Sequence, residues 1–359
     1  MTAAFAINGR AIGPGKPVYV IAELSANHGG DYATAVRIVE ESAKTGADAI
    51  KLQTYTADTI TIDSDAAPFR HGDDSLWAGT TLHKLYQDAY TPWDWQPKLK
   101  ALAESLGMDC FSSPFDPSAV EFLMGMNVPA FKVASFELVD LPLIRRMAET
   151  GRPLIISTGM GTPDEIDEAV KAAQGANATG IALLKCTSAY PSPPEALNLG
   201  AIPAMAERWG LPIGLSDHTT GESVPVAAVA LGACIVEKHI TLDHEHATPD
   251  SPFSLDPVEF KRMVDAIRVA EKALAGDQLG PTPQELESRR FRRSLFVVED
   301  IAAGETLTER NIRSIRPAAG LHTRHYEEVL GRRAAGAIPR GTPLSWDLLE
   351  PEPASVGTR

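Results

Sequence analysis

The chain has 359 residues, 44% hydrophobic and 22% charged, and its 33 basic against 47 acidic side chains leave a net charge of −14. Such a balance belongs to a globular protein with length for a large core, and it argues against nonspecific binding to nucleic acid or to anionic membrane surfaces. Cys110, Cys186 and Cys234 form no CxxC pair and lie in or beside apolar runs, so they read as reduced core residues. With no signal-peptide pattern and no apolar run near the ~18 residues of a membrane span, a cytoplasmic location is expected.

After a short leader, PVYVIAELS forms an apolar strand ending in Glu23, and DYATAVRIVEESAKTG has the spacing of a helix. DAIKLQTY is a second strand, ending in Lys51, Gln53 and Thr54. Residues 56–92, with Trp77, Tyr86 and Tyr90, read as a long irregular segment of the kind that forms lids or binding loops. Strand and helix then alternate: DCFSSPFD, AFKVASFE, PLIISTGM, IALLKCTSAYP, PIGLSDHT and CIVEKHITLD as strands, each followed by a helical stretch. Thr162 is placed to cap the helix that carries Asp164 and Glu165 in its first turn. Strands near residues 20, 50, 111, 132, 155, 184, 214 and 236 give the count of a closed (β/α)8 TIM barrel. A doubly wound open sheet is the alternative, but no GxGxxG follows the first strand.

The barrel is expected over residues 1–280, and GPTPQELESRRFRRS supplies a polar linker over 281–293. Residues 294–350 read as a small, mostly β domain with little core of its own, and 351–359 as a frayed tail.

Polar residues collect where the proposed strands end. Glu23, Lys51, Gln53, Ser112, Ser113, Lys132, Ser135, Ser157, Lys185, Ser188, Ser216, His218, Glu237 and His239 all fall there. At one rim of a barrel such a ring is a site, because burying these groups together without a ligand is costly. Lys51, Lys132 and Lys185 among serines suit a phosphate; solvated surface lysines are the alternative, disfavoured because apolar residues precede each one in its strand. His218 and His239 end consecutive strands beside Asp217 and Glu237, so the pair can hold one divalent metal with open positions; hydrogen-bonded histidines under loops are the alternative. Glu23 and Glu237 are acid/base candidates. His244 and His246 lie in a polar loop and read as solvated.

AELSANHGG, ADAIKLQTY, FSSPFD, FKVASFE, IISTGM, LLKCTSAYP, GLSDHTTG and EKHITLD together resemble the sialic acid synthase family, and RSLFVVEDIAAGE with IRSIRPAAGL is similar to that family's antifreeze-like (SAF) domain. The resemblance implies a transferase that condenses phosphoenolpyruvate with an N-acylated amino sugar. YTPWDW, ASFELVDLPLI, KCTSAYP and PDSPFSLDP are most similar to the branch that makes pseudaminic acid, whose sugar is 2,4-diacetamido-2,4,6-trideoxy-L-altrose, rather than to those making N-acetylneuraminate or legionaminate. HEHATPDS and Gly29 depart from the family pattern in loops.

Matched position by position, His218 and His239 correspond to ligands of a divalent metal, usually Mn²⁺, with Mg²⁺ or Co²⁺ as alternatives. Lys51, Ser113, Lys132, Ser135, Ser157, Ser188 and Ser216 match the phosphoenolpyruvate pocket, Glu23 an acid/base residue, and Gln53, Tyr190, Glu237 and Asp250 the amino-sugar side. Arg316 matches an arginine that one subunit offers to its partner's barrel, which implies a domain-swapped homodimer. Two other readings compete: a barrel aldolase with Lys132 or Lys185 as Schiff-base nucleophile, and a non-catalytic barrel that binds metal and sugar.

Overall fold

A computed structural model describes residues 4–70 and 79–351; Trp77 and all but the first residue of the expected tail lie outside the described residues. The chain divides into two compact units, Met1–Gly276 and Asp277–Arg359.

The larger unit begins with an antiparallel hairpin, β1 (Phe5–Ile7) and β2 (Arg10–Ile12). Eight parallel strands follow: β3 (Tyr19–Glu23), β4 (Ala49–Thr54), β5 (Asp109–Pro114), β6 (Phe131–Val133), β7 (Leu154–Ser157), β8 (Ile181–Cys186), β9 (Ile213–Asp217) and β10 (Ile235–His239). They pair in chain order and β10 closes on β3, giving the closed barrel that the strand count predicts. The closing register sets His239 opposite Glu23, and the next pair sets Glu23 opposite Lys51. Three residues that the sequence places among the polar strand ends are thereby neighbours.

Strand alternation sorts each strand into a lumen face and a helix face. Val20, Ala22, Ile50, Leu52 and Val236 pack outward with Ile38, Val39, Leu99, Phe260 and Ile267 of the surrounding helices. Inside, Tyr19, Ile21, Phe111, Ile155, Leu184 and Ile235 belong to the main core together with Ile7 and Ile12 of the hairpin. The short leader of the sequence is thus a plug for the N-terminal end of the barrel. Gly214 occupies the narrow part of the lumen, where a Cβ would stand 2.5 Å from Leu184 Cδ2 and 2.7 Å from Ile235 Cβ. Thr162 caps its helix as expected: its Oγ1 accepts from Glu165 N at 3.3 Å, and Glu165 Oε2 accepts from Thr162 N at 2.7 Å.

Two segments differ from the sequence reading. Within the stretch expected to be irregular, Ala57–Ile60 and Leu82–Ala89 are helical, each started by a threonine cap, Thr56 and Thr81. The expected strand AFKVASFE stops at Val133 and turns into a 3-10 helix, Ser135–Val139. Among the described residues no helix is long and apolar enough to cross a membrane.

In the smaller unit, Pro283–Ser288 forms a helix within the expected linker. β11 (Ser294–Val297) pairs antiparallel with β12 (Ile312–Ile315), and isolated bridges such as Ile301 to Ile338 and Ala334 to Leu349 extend the β structure. This unit does have its own core. Leu295, Val297, Ile301, Leu307, Ile312, Val329, Ala334, Ile338, Leu344 and Leu349 are buried together, which corrects the expectation of little core. These apolar residues are scattered singly between turns, so no continuous run announces them.

Candidate active site

The C-terminal mouth of the barrel collects buried charge. Lys132 Nζ donates to Ser157 Oγ at 2.7 Å and to its neighbour's carbonyl at 3.2 Å, and lies 3.6 Å from Glu237 Oε1. Lys51 Nζ is 2.7 Å from Glu23 Oε2, 3.6 Å from Glu237 Oε1 and 3.3 Å from Ser113 Oγ. Ser216 Oγ donates to Glu237 Oε1 at 3.3 Å. Two ammonium groups therefore share one carboxylate, with serine hydroxyls around them. Burial alone would push Glu237 up, but Lys132, Lys51 and His218 outweigh it and hold the carboxyl below its usual range. Lys132 is shifted down by burial, whereas for Lys51 the charges of Glu23 and Glu237 outweigh burial and shift it up.

Glu23 behaves differently. Burial raises its carboxyl to about 7, against the lowering effect of Lys51. The short distance to Lys51 suggests a firm ion pair, yet Glu23 Oε2 has no aligned hydrogen bond, so the contact is close without full compensation. A carboxyl poised near neutrality suits proton transfer. Gln53 Nε2 donates to Glu23 Oε1 at 3.2 Å and to Ser25 Oγ at 3.0 Å, fixing the carboxyl plane.

Beside the lysines the backbone at Gly159 closely approaches two serine hydroxyls. Gly159 N donates to Ser135 Oγ at 3.2 Å, and a Cβ at Gly159 would come within 2.3 Å of Ser188 Oγ and 2.7 Å of Ser135 Oγ. Ser135 and Ser188 thus close on Gly159 more tightly than any larger residue would allow, two residues from Ser157 and its bond to Lys132. Backbone N–H and hydroxyl donors around a lysine are the donor set of a phosphate cradle.

On the other side stand the two histidines, with ring centroids 5.3 Å apart, packed against Phe253 and, for His218, against Tyr190 at 4.6 Å. His218 Nδ1 donates to the Thr187 carbonyl at 3.2 Å, which leaves Nε2 with its lone pair. For His239, burial and then His218 hold the imidazole well below its ordinary value, so the ring is neutral at physiological pH. Its Nδ1 is buried without a hydrogen-bond partner, 4.0 Å from Asp250 Oδ2. Asp250 Oδ2 in turn accepts from Ala26 N at 3.2 Å, and burial raises its carboxyl. For His218, burial is outweighed by Cys186 and the Thr187 carbonyl, which shift the imidazole up, so its Nε2 lone pair is offered when the ring gives up its proton. With that lone pair, the neutral ring of His239 and a nearby carboxylate, the residues fit a divalent ion.

Among the described residues, the group of His, Cys, Asp and Glu side chains whose ligand atoms all lie within 4.8 Å is elsewhere, at His244, Asp256 and Glu259. It is a helix cap: Asp256 Oδ1 accepts from Glu259 N at 2.8 Å, Glu259 Oε2 from Asp256 N at 3.0 Å, and His244 Nε2 is 2.9 Å from the same Oε2. His244 is exposed, Asp256 and Glu259 are half-buried, and the three are already bonded to one another. His246 is exposed and pairs with Asp243 at 2.9 Å.

Strand alternation turns two of the expected residues away from the mouth. Ser112 faces the helices, bonded to Thr54 Oγ1 at 2.6 Å, so only Ser113 of that pair reaches the mouth. Lys185 alternates away from Cys186, half-buried, with Nζ on the Cys186 carbonyl at 3.0 Å, apart from the group that Lys51 and Lys132 form with Glu237. Arg316 lies exposed in the smaller unit just after β12. Asp217 and Lys238, adjacent to the two histidines, pair with each other at 2.5 Å outside the lumen. The sequence reading also missed Glu137. Burial raises its carboxyl to about 7, and its Oε2 is buried without a partner. The signal was obscured because FKVASFE alternates like a strand, which would carry Glu137 past the rim; the 3-10 turn at Ser135 brings it back.

A sequence profile of the NeuB family matches residues 38–278, and a SAF domain profile matches residues 292–350. The chain is 44% identical over 336 residues to a pseudaminic acid synthase of Helicobacter pylori, covering 93% of this chain and 98% of that one. It is 33% identical over 350 residues to an N,N'-diacetyllegionaminic acid synthase of Legionella pneumophila, covering 96% and 98%. Among solved structures it is similar to the N-acetylneuraminic acid synthetase of Leptospira borgpetersenii serovar Hardjo-bovis in complex with citrate, at 30% identity and a TM-score of 0.72 over 80% of this chain and 95% of that one. The chain belongs to the NeuB family and ends in a SAF domain.

Proposed function

We propose that the chain condenses phosphoenolpyruvate with 2,4-diacetamido-2,4,6-trideoxy-L-altrose and water, giving pseudaminic acid and phosphate. The observation that carries this reading is the pair of lysines on one carboxylate, set between a glycine-floored ring of serines and two neutral-capable imidazoles. Similarity to the Helicobacter synthase, 44% against 33% for the legionaminic acid enzyme, favours this sugar over its relatives.

In this reading Lys51 and Lys132 hold the phosphate, while Ser113, Ser135, Ser157, Ser188 and Ser216 orient it. Glu237, kept ionised, fixes both ammonium groups without leaving the site over-positive. Gln53, Tyr190, Asp250 and Glu137 line the side open to the sugar. His218 and His239 would hold a divalent ion, Mn²⁺ with Mg²⁺ or Co²⁺ as alternatives, and that ion supplies Lewis-acid polarisation of the sugar aldehyde. The enol carbon C3 bonds to the aldehyde carbon, and positive character builds at C2. Glu23 accepts one proton of the water that adds there and passes it to the oxygen of the former aldehyde, and as C2 becomes the ketone, phosphate leaves with the bridging oxygen and the second water proton. No step needs a lysine nucleophile, which separates this chemistry from a Schiff-base aldolase. Arg316 of the partner subunit is proposed to complete the sugar side in a domain-swapped homodimer working in the cytoplasm.

The test is the product. Incubated with phosphoenolpyruvate and, in turn, the altrose sugar, N-acetylmannosamine and the legionaminate precursor, the protein should give by mass spectrometry a nonulosonic acid from the first in large excess. Equal or greater turnover of either other sugar would contradict the assignment.

A further inference from the structure

The buried pair Asp217–Lys238 belongs to neither the phosphate cradle nor the sugar side. Both side chains have 0% relative exposure, and Nζ to Oδ2 is 2.5 Å. Lys238 also donates to the Thr219 carbonyl, in a very short contact, and stands 3.5 Å from Thr219 Oγ1. Asp217 closes the ring, accepting from Thr219 N at 3.1 Å and from Thr219 Oγ1 at 3.0 Å.

The placement of this cluster along the chain is informative. Asp217 and Thr219 flank His218, while Lys238 sits between Glu237 and His239. β9 and β10 pair with Lys238 opposite Asp217, so the ammonium ties the backbone on both sides of one histidine to the residue preceding the other. His218 is otherwise anchored through Thr187 on its ring and Ser192 N on its carbonyl, at 3.2 and 3.0 Å. A fully buried ion pair is a poor way to gain stability, since apolar residues of similar size often do as well or better. What such a pair does supply is a fixed position for the residues beside it.

We propose that Asp217, Lys238 and Thr219 are positioning residues that set the two imidazoles at the separation and orientation needed to share a divalent ion. This rests on the reading of His218 and His239 as that ion's ligands. The cluster acts through the backbone from the helix side of the sheet, and it touches neither substrate nor ion.

The experiment is a titration of the full-length protein with Mn²⁺ alone, following free Mn²⁺ by electron paramagnetic resonance. The double variant Lys238→Met/Asp217→Leu removes both charges at once, so no unpaired ion is buried and the fold should survive, as circular dichroism and Tm would register. Its Kd for Mn²⁺ should rise about tenfold or more. Should the double variant not fold, Thr219→Val decides the question, with a smaller rise of about threefold expected. His239→Ala in the same titration separates the two readings. If His239→Ala loses Mn²⁺ while the folded cluster variant keeps the wild-type Kd, the positioning role is overturned and the ligand reading stands. If His239→Ala itself binds Mn²⁺ like the wild type, the ligand reading fails and the positioning proposal falls with it.

Discussion

The two ends of the barrel are built from the same strands but handle polarity in opposite ways. At the N-terminal end, charges meet partners. Asp109 accepts from Asn8 Nδ2 at 2.8 Å and from the Tyr19 hydroxyl at 2.7 Å, and Asp48 pairs with Arg10 at 2.7 Å and Arg268 at 2.8 Å. Ile7 and Ile12 of the hairpin seal the lumen beneath them. At the C-terminal end, Glu23, Glu137, Glu237 and His239 each keep a buried polar atom without a hydrogen-bond partner. Satisfied groups stabilise a fold, while unsatisfied ones are a cost that a ligand can remove. The difference teaches that the larger unit concentrates its folding strength at one end and its chemistry at the other, the division expected of this barrel class.

Substitutions at the two ends should therefore fail in different ways. Lys132→Ala at the mouth should lower kcat/KM for phosphoenolpyruvate by about a thousandfold while Tm stays near the wild-type value. Ile7→Ala at the plug should cost about 2–5 kcal/mol of stability by opening a cavity, with kcat unchanged in the protein that remains folded. Steady-state kinetics and thermal melts on both variants check this, and a crossed result would erase the contrast.

A smaller effect, about a hundredfold on kcat, is expected for Glu23→Gln. The pH dependence is the sharper readout. If ionised Glu23 takes the proton of the attacking water, wild-type kcat should rise through about pH 7, and that limb should vanish in the variant. Stability runs the other way. Because burial raises this carboxyl from 4.5 to about 7, the native state favours its protonated form. That contribution is complete below the unfolded value and is lost as pH rises through the folded one. Glu23→Gln should gain in Tm relative to wild type over the same interval, and parallel melting curves from acid to alkaline pH would contradict it.

Most of this contrast was legible in the sequence, for a physical reason. Buried parallel strands are continuous apolar runs, so polar residues stand out where the runs end, and Glu23, Lys51, Lys132, Glu237 and His239 were all found that way. Strand alternation was harder to apply at the rim, where the chain leaves the strand. Ser112 and Lys185 fall on the wrong face, and Glu137 returns to the mouth only because the chain turns at Ser135. The plug was hidden because β1 and β2 are three residues each, too short to show a period.

The least expected disturbance comes from the smaller unit. Arg316→Ala should raise the KM for the amino sugar by about tenfold, the scale of one lost charged hydrogen bond, and leave the KM for phosphoenolpyruvate unchanged. Mixing Glu23→Ala and Arg316→Ala homodimers after dissociation should return the sugar KM to the wild-type value if Arg316 serves its partner's barrel, because the one working site of the mixed dimer then has an intact barrel and an intact partner arginine. Mixed dimers that form and keep the raised KM would show that it does not.

The unsatisfied mouth should hold phosphate without forming a bond to it, so that water attacks carbon. Phosphoenolpyruvate carrying ¹⁸O between C2 and phosphorus tests this in one turnover. The label should leave in inorganic phosphate. Label retained in the sugar acid would mean that the P–O bond breaks, and would contradict it.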